Sequence, residues 1–351
     1  MGRTEGGVFL LNSNWPGGEA FGNLTEEMQK TILEKKVKFY NINALEISQS
    51  LGLGARINTV MQVCFFAIAK VMPLDKAIAS IKDTIKKTYG RKSDQIVTMN
   101  IAAVDGALAH LHEVPVPKQA TASQKRPPTV SDRAPDFVKR VTDQIMAGRG
   151  DLLPVSAFPV DGAYPTSTTR WEKRNIALEI PVWDEKWCIQ CNKCAMVCPH
   201  AAVRAKAYDA SLLKGAPATF KSMDWKGGEF PAGTKYTVQV APEDCTGCGL
   251  CVEICPGRNK TETRLKAINM APQPPLREPE RTNYDFFLEI PEADRRSVKR
   301  ETVKGSQLLQ PLFEYSGACA GCGETPYVKL LTQLFGDRAY IGNATGCSSI
   351  Y

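Results

Sequence analysis

The sequence predicts a chain of mixed architecture: a layered α/β domain, a Pro-rich linker, a cysteine-rich α+β unit and the start of a second α/β domain. Three observations carry that reading. Short apolar strands alternate with helical stretches over the first third. Eight prolines punctuate residues 113–180, and eleven of the twelve cysteines fall into three clusters after residue 187. At 351 residues, with 43% hydrophobic and 23% charged residues, the chain has ample length for buried cores and is not a disordered composition.

The elements follow in order. GVFLLNS (7–13) is a short apolar run closed by Asn-Trp-Pro-Gly-Gly, a strand and its turn. Thr25, followed by Glu26 and Glu27, starts a helix to about Glu34, a hydroxyl cap with acids in the first turn. VKFYNINA (37–44) reads as a second strand. Arg56 to Met72 is apolar at nearly every turn and predicts a buried helix that stops before Pro73. Leu74, Ala77, Ile78, Ile81 and Ile85 line one face of a helix over 74–89, and another runs from about Asp94 to His112. Residues 116–180 read as a linker or wrapping arm with one helix at 135–147. The cysteine-rich unit covers 181–275. APQPPLREPERTNYDF (271–286) reads as a further Pro-rich connector, and residues 276–351 as connector plus the truncated start of a domain. There a cysteine loop precedes a helix near 326–335 and a strand RAYIGNA (338–344). One helix and one strand cannot cover each other's apolar faces, so the sequence reads as a piece of a longer polypeptide.

Net charge is +7, from 44 basic and 37 acidic residues that are interspersed. Basic stretches at 82–92 and 295–300 lack any accompanying nucleic-acid motif and read as solvated surface. No apolar run reaches the roughly 18 residues of a membrane span, and VCFFAIAKVM is interrupted by Lys70. The N-terminus lacks the pattern of a secretory signal, so the expected location is cytoplasmic, with neither nucleic acid nor membrane as partner. In that setting clustered cysteines point to metal rather than disulfides.

CIQCNKCAMVCP (188–199) and CTGCGLCVEICP (245–256) each have the spacing C-x2-C-x2-C-x3-C-P. This is the run that binds two 4Fe–4S clusters, the fourth cysteine of each run reaching the other cluster. Cluster A is then held by Cys188, Cys191, Cys194 and Cys255, and cluster B by Cys245, Cys248, Cys251 and Cys198. Zinc sites use separated C-x2-C pairs instead. Residues 199–244 between the runs read as an insertion with a hairpin, which could shield the clusters or dock on a neighbouring domain. Cys319, Cys322 and Cys347 suit either a redox disulfide with a bystander or three ligands of a third 4Fe–4S cluster. The second is favoured, with its fourth ligand beyond Tyr351. Cys64, on an apolar helix, reads as a core hydrophobe. His110 and His112 sit two apart and form no metal pair, while His200 reads as a hydrogen-bond donor beside the clusters.

The chain resembles the pyruvate:ferredoxin (flavodoxin) oxidoreductase family. The resemblance is carried by FLLNS-W (9–15), GLGARINTVMQ (52–62), WEKRNIALEIPVW (171–183), both cysteine runs, SGACAGCGETPYVKLLTQLFG (316–336) and NATGCSSIY (343–351). It implies oxidative decarboxylation of pyruvate with coenzyme A to acetyl-CoA and carbon dioxide. Electrons pass through the clusters to ferredoxin or flavodoxin, and thiamine diphosphate with Mg supplies the carbanion chemistry. It further implies that residues 1–115 are the later part of a coenzyme A-binding domain and 116–180 a connecting segment with the WEKR element. Residues 181–275 would be the ferredoxin-like domain, and those after it the start of the thiamine-diphosphate domain of a homodimer. By the same resemblance Glu324 and Cys347 approach thiamine, Asn58 points toward coenzyme A or else caps a helix, and the piece alone is inactive. The alternatives are a stand-alone iron–sulfur electron-transfer subunit, an oxidoreductase for another 2-oxoacid, or a fusion delivering electrons to NADP.

Overall fold

The computed structural model describes residues 4–351, which form two compact units divided after Pro128. In the first unit, β1 (Val8–Asn12), α1 (Glu26–Glu34) and β2 (Lys38–Ile42) form a β-α-β unit. The two strands run parallel in register Val8 to Lys38. After α2 (Ala44–Ser50), α3 (Asn58–Ala69), α4 (Leu74–Tyr89) and α5 (Asp94–Ala107), the short β3 (His112–Glu113) pairs antiparallel with β2. Alternation along the strands sorts the cores. Phe9, Leu11 and Phe39 pack with Phe21 and Ile32 of the α1 side, and Leu10 and Ile42 pack with α2–α5. Both sheet faces are thus covered, which accounts for the successive apolar residues Phe9, Leu10 and Leu11 of β1.

Five details differ from the sequence expectation. Thr25 stands at the N-cap of α1, but its hydroxyl makes no capping bond. The helix expected at 56–72 is α3, Asn58–Ala69, ended by Lys70 in the left-handed region at φ 50. Ile57 takes its cap position, so Asn58 is an exposed first helical residue and not a cap. The α2 helix, seven residues long, had no expectation at all. Finally, the start of the Pro-rich stretch is not free: buried Gln29 accepts from the backbone N–H groups of Thr121 (2.7 Å) and Ala122 (2.9 Å). Those bonds and Glu26 N–H to Gln124 C=O (2.9 Å) keep the chain with the first unit up to residue 128.

In the second unit a π-helical turn (Val138–Thr142) runs into α6 (Asp143–Met146), and Val130, Ala134, Val138 and Trp171 make a small core of their own. The cysteine-rich region follows as β4 (Glu179–Trp183), α7 (Lys193–Val197), β5 (Val203–Asp209), β6 (Met223–Asp224), β7 (Thr234–Val240), α8 (Leu250–Glu253) and β8 (Ile268–Pro272). β4 pairs antiparallel with β8, and the insertion forms an antiparallel sheet in the order β5-β7-β6. The expected connector at 271–286 is instead the helix α9 (Gln273–Glu289). Pro274 and Pro275 sit in its first turn, where backbone N–H groups have no intrahelical acceptor, so they cost the helix nothing; only Pro279 removes an interior bond. After α10 (Val303–Ser306) and α11 (Thr325–Phe335), residues 338–344 are irregular rather than a strand. Tyr340 and Ile341 are exposed there, and among the described residues no strand lies alongside to take their backbone hydrogen bonds.

Candidate metal centre

The two cysteine runs fold as a structural repeat. In each, the second and fourth residues after the first cysteine are left-handed: Gln190 and Asn192 (φ 57 for both) in one, Gly247 (φ 68) and Gly249 (φ 75) in the other. These reversals curl the loop so that a backbone N–H two residues on points at the first sulfur, Gln190 N to Cys188 Sγ and Gly247 N to Cys245 Sγ, both 3.4 Å. One helical turn, α7 or α8, then carries the chain to the fourth cysteine.

The grouping of thiols is crossed between the runs. Cys188, Cys191, Cys194 and Cys255 line one cavity of about 330 Å³, closed by Trp183, Tyr236 and Ile268. Cys198, Cys245, Cys248 and Cys251 line a second of about 330 Å³, closed by Pro181, His200 and Met270. Among the described residues no three His, Cys, Asp or Glu side chains are gathered to hold one metal ion, so the thiols stand around these spaces rather than on a single point. Burial pushes the Cys245 thiol up to about 12 and those of Cys194 and Cys251 further, with neighbouring thiolates adding to the shift. Four bare thiolates in such a place are untenable, and a cationic core that ligates them removes the conflict. All-sulfur donors, backbone N–H groups aimed at sulfur and wide apolar cavities fit an iron–sulfur core.

The insertion holds the first loop in shape. Gln190 is wholly buried; its Nε2 donates to Asp224 C=O (2.8 Å) and its Oε1 accepts from Lys226 N–H (2.7 Å). Asn192 donates to Lys304 C=O (2.6 Å) and accepts from the Tyr236 hydroxyl. Polar side chains thereby support two left-handed residues that in the second run are glycines.

The third cysteine group is built differently. Cys319 and Cys347 are exposed and Cys322 is partly so. Cys322 precedes α11, and the N–H groups of Thr325 and Glu324 hold its thiol below the ordinary value. Burial together with the negative charges of Glu324, Cys322 and Cys347 pushes Tyr351 up to about 12, which sets these groups in one neighbourhood. The loop lies over the second cavity: a Cβ at Gly321 would stand 3.8 Å from Cys248 Cβ. Two residues dock it there. His200 Nε2 donates to Ala318 C=O (2.9 Å), and Arg174 Nη1 donates to Ser316 C=O (3.3 Å) and Ala318 C=O (3.4 Å). Burial holds the His200 imidazole below its usual value, consistent with a neutral donor to a carbonyl.

Elsewhere, Cys64 is fully buried in the α2–α5 core and its thiol is pushed up to about 11 by burial. His110 bonds Gly106 C=O (2.9 Å) while His112 lies on β3, so the two are not brought together. Sequence reasoning passed over Gln190, Arg174 and Lys329, the last of which is buried on α11 against the segment joining the two cavities. Left-handed positions equivalent to the glycines of the second run were a readable signal for Gln190. Nothing local marked the other two.

A pair of crossed four-thiol cavities on a repeated loop-and-turn motif defines a dicluster iron–sulfur protein, built for electron transfer. Residues 187–259 match the family described as a 4Fe-4S dicluster domain, residues 2–110 the one described as pyruvate ferredoxin/flavodoxin oxidoreductase, and residues 123–177 a domain of unknown function. The chain is 56% identical over 357 residues to a pyruvate-flavodoxin oxidoreductase of Nostoc, covering 99% of this chain and 30% of that protein. It is 51% identical to the pyruvate:ferredoxin oxidoreductase of Moorella thermoacetica (100% of this chain, 29% of the relative). Identity is 42% to the mitochondrial NADP-dependent pyruvate dehydrogenase of Euglena gracilis (99% and 19%). The chain belongs, as a segment, to the pyruvate:ferredoxin (flavodoxin) oxidoreductase family. It spans somewhat under a third of the length of the curated relatives it matches.

Proposed function

We propose that this chain carries the electron relay of an enzyme that converts pyruvate, coenzyme A and two oxidised one-electron carriers to acetyl-CoA, carbon dioxide, a proton and two reduced carriers. The observation that carries the reading is the row of sulfur sites: the Cys319–Cys322 loop against Cys248 of one four-thiol cavity, and that cavity joined to the other through the exchanged Cys198 and Cys255. Bound 4Fe–4S clusters would take up and release single electrons. The protein's own part is to supply the thiolates, exclude water with Trp183, Tyr236 and Met270, and dock the third group through His200 and Arg174. The exposed Ile189 and the exposed Pro256 beside Cys255 offer ferredoxin or flavodoxin an exit at the first cavity.

On this reading Cys319, Cys322 and Cys347 supply three ligands of a third cluster. Glu324 and Cys347 face thiamine diphosphate and its Mg, and Asn58 at the start of α3 faces coenzyme A. Residues 1–115 then belong to a coenzyme A-binding domain, 116–180 to a connecting segment, and the stretch from 276 onward leads into a thiamine-diphosphate domain of a homodimer.

The test is cluster content under anaerobic conditions. Residues 1–351 should bind about eight iron atoms in two clusters. Cys198→Ala should remove the cluster whose other ligands are Cys245, Cys248 and Cys251, and leave the EPR signal of its neighbour. Loss of the other signal, or about four irons in the unaltered chain, would overturn the crossed assignment. For the intact protein, viologen reduction should require both pyruvate and coenzyme A.

A further inference from the structure

Three cations of the second unit are buried: Arg204, Lys206 and Lys329. The first two share a carboxylate, since Glu292 Oε1 lies 2.9 Å from Arg204 Nη2 and 2.9 Å from Lys206 Nζ. Lys329, 2% exposed, has no such partner among the described residues. Its Nζ donates to Ala195 C=O, to Met196 C=O (3.0 Å) and to Cys198 C=O (3.2 Å). Three acceptors use all three hydrogens of an ammonium, so the geometry selects the charged form. The acceptors lie on the stretch running from Cys194, which lines the first cavity, to Cys198, which lines the second.

An unpaired buried charge is costly, and proteins keep one only where an opposite charge answers it. Four-thiolate clusters are anionic and gain a further negative charge on reduction. We infer that Lys329 is the counter-charge of the two clusters, stabilising the reduced form of both and thereby raising their reduction potentials. The charge is delivered by α11, the helix directly after Cys322, so the segment bearing the third thiol group also sets the electron affinity of the sites beside it.

This inference rests on the proposed cluster sites, and the experiment separates the two. In the intact protein purified anaerobically, iron content and an EPR-monitored redox titration are measured for the parent, Lys329→Gln and Gln333→Glu. Gln333 lines, with Lys329 and Arg204, a cavity of about 190 Å³; a glutamate there gives up the amide's bond to Leu309 C=O (2.8 Å) and places an acid beside the ammonium, while the carbonyl bonds of Lys329 itself are untouched. With iron retained, both potentials should move negative in both variants. The expected size is roughly a tenfold lower ratio of reduced to oxidised cluster at fixed potential, about 59 mV for one electron. Unmoved potentials in an iron-replete variant overturn the inference while leaving the cluster sites intact. If Lys329→Gln sheds iron, Gln333→Glu decides, and unchanged potentials there reduce Lys329 to a structural tie. A parent without iron overturns both readings.

Discussion

Replacing Gln190 by alanine tests whether the insertion holds the first cluster loop in shape. The side chain is wholly buried and makes two hydrogen bonds to the backbone of Asp224 and Lys226. Each is worth about 1 kcal/mol net, and removal of the side chain's buried methylene adds roughly 0.8 kcal/mol, for a total near 3 kcal/mol. The left-handed backbone (φ 57) is as unfavourable for alanine as for glutamine, so nothing is recovered there. Glycine adopts that conformation freely, so Gln190→Gly should be milder than Gln190→Ala by up to about 1 kcal/mol, partly offset by the freer unfolded chain. The assay is anaerobic guanidinium unfolding followed by bleaching of the cluster absorbance. The alanine variant should lose its chromophore at lower denaturant and, if opening limits the loss, on the order of a hundredfold faster. The reasoning fails if Gln190→Ala matches the parent, or if the glycine variant is the weaker of the two.

Other predictions concern charge and thiol reactivity. Glu292→Gln leaves Arg204 and Lys206 without their carboxylate and should cost about 2–3 kcal/mol, below a fully buried pair because Glu292 is 28% exposed; a denaturant midpoint equal to the parent's would refute it. In iron-free protein, iodoacetamide should label Cys322 well before Cys64, since helix N–H groups lower the one thiol and burial raises the other to about 11; equal rates would contradict the assigned environments.

Much of the candidate site could be read from spacing alone, because the ligand pattern is local: three cysteines with two residues between each and a fourth before proline leave few ways to wrap a cluster. The β-α-β start was equally readable, since the unbroken apolar run Phe9, Leu10, Leu11 matches a strand covered on both faces. The misreadings share a cause. The run at 271–286 has the proline count of a connector, yet the prolines fall mainly where a helix has no N–H to lose. The run RAYIGNA has strand composition, but a strand is made by its neighbour, and its exposed chain has none among the described residues.

By itself, then, the sequence determined which residues could ligate metal, how the runs would share them, and which stretches had to bury apolar faces. All of this depends on spacing and periodicity within short windows. Tertiary structure decided what supports those ligands. Gln190 is held by a strand of the insertion, His200 and Arg174 fasten a loop more than a hundred residues away, and Lys329 sits on carbonyls over a hundred and thirty residues upstream. Such contacts join single side chains to backbone atoms at large separations. They leave no periodic trace, and only the folded packing brings them together.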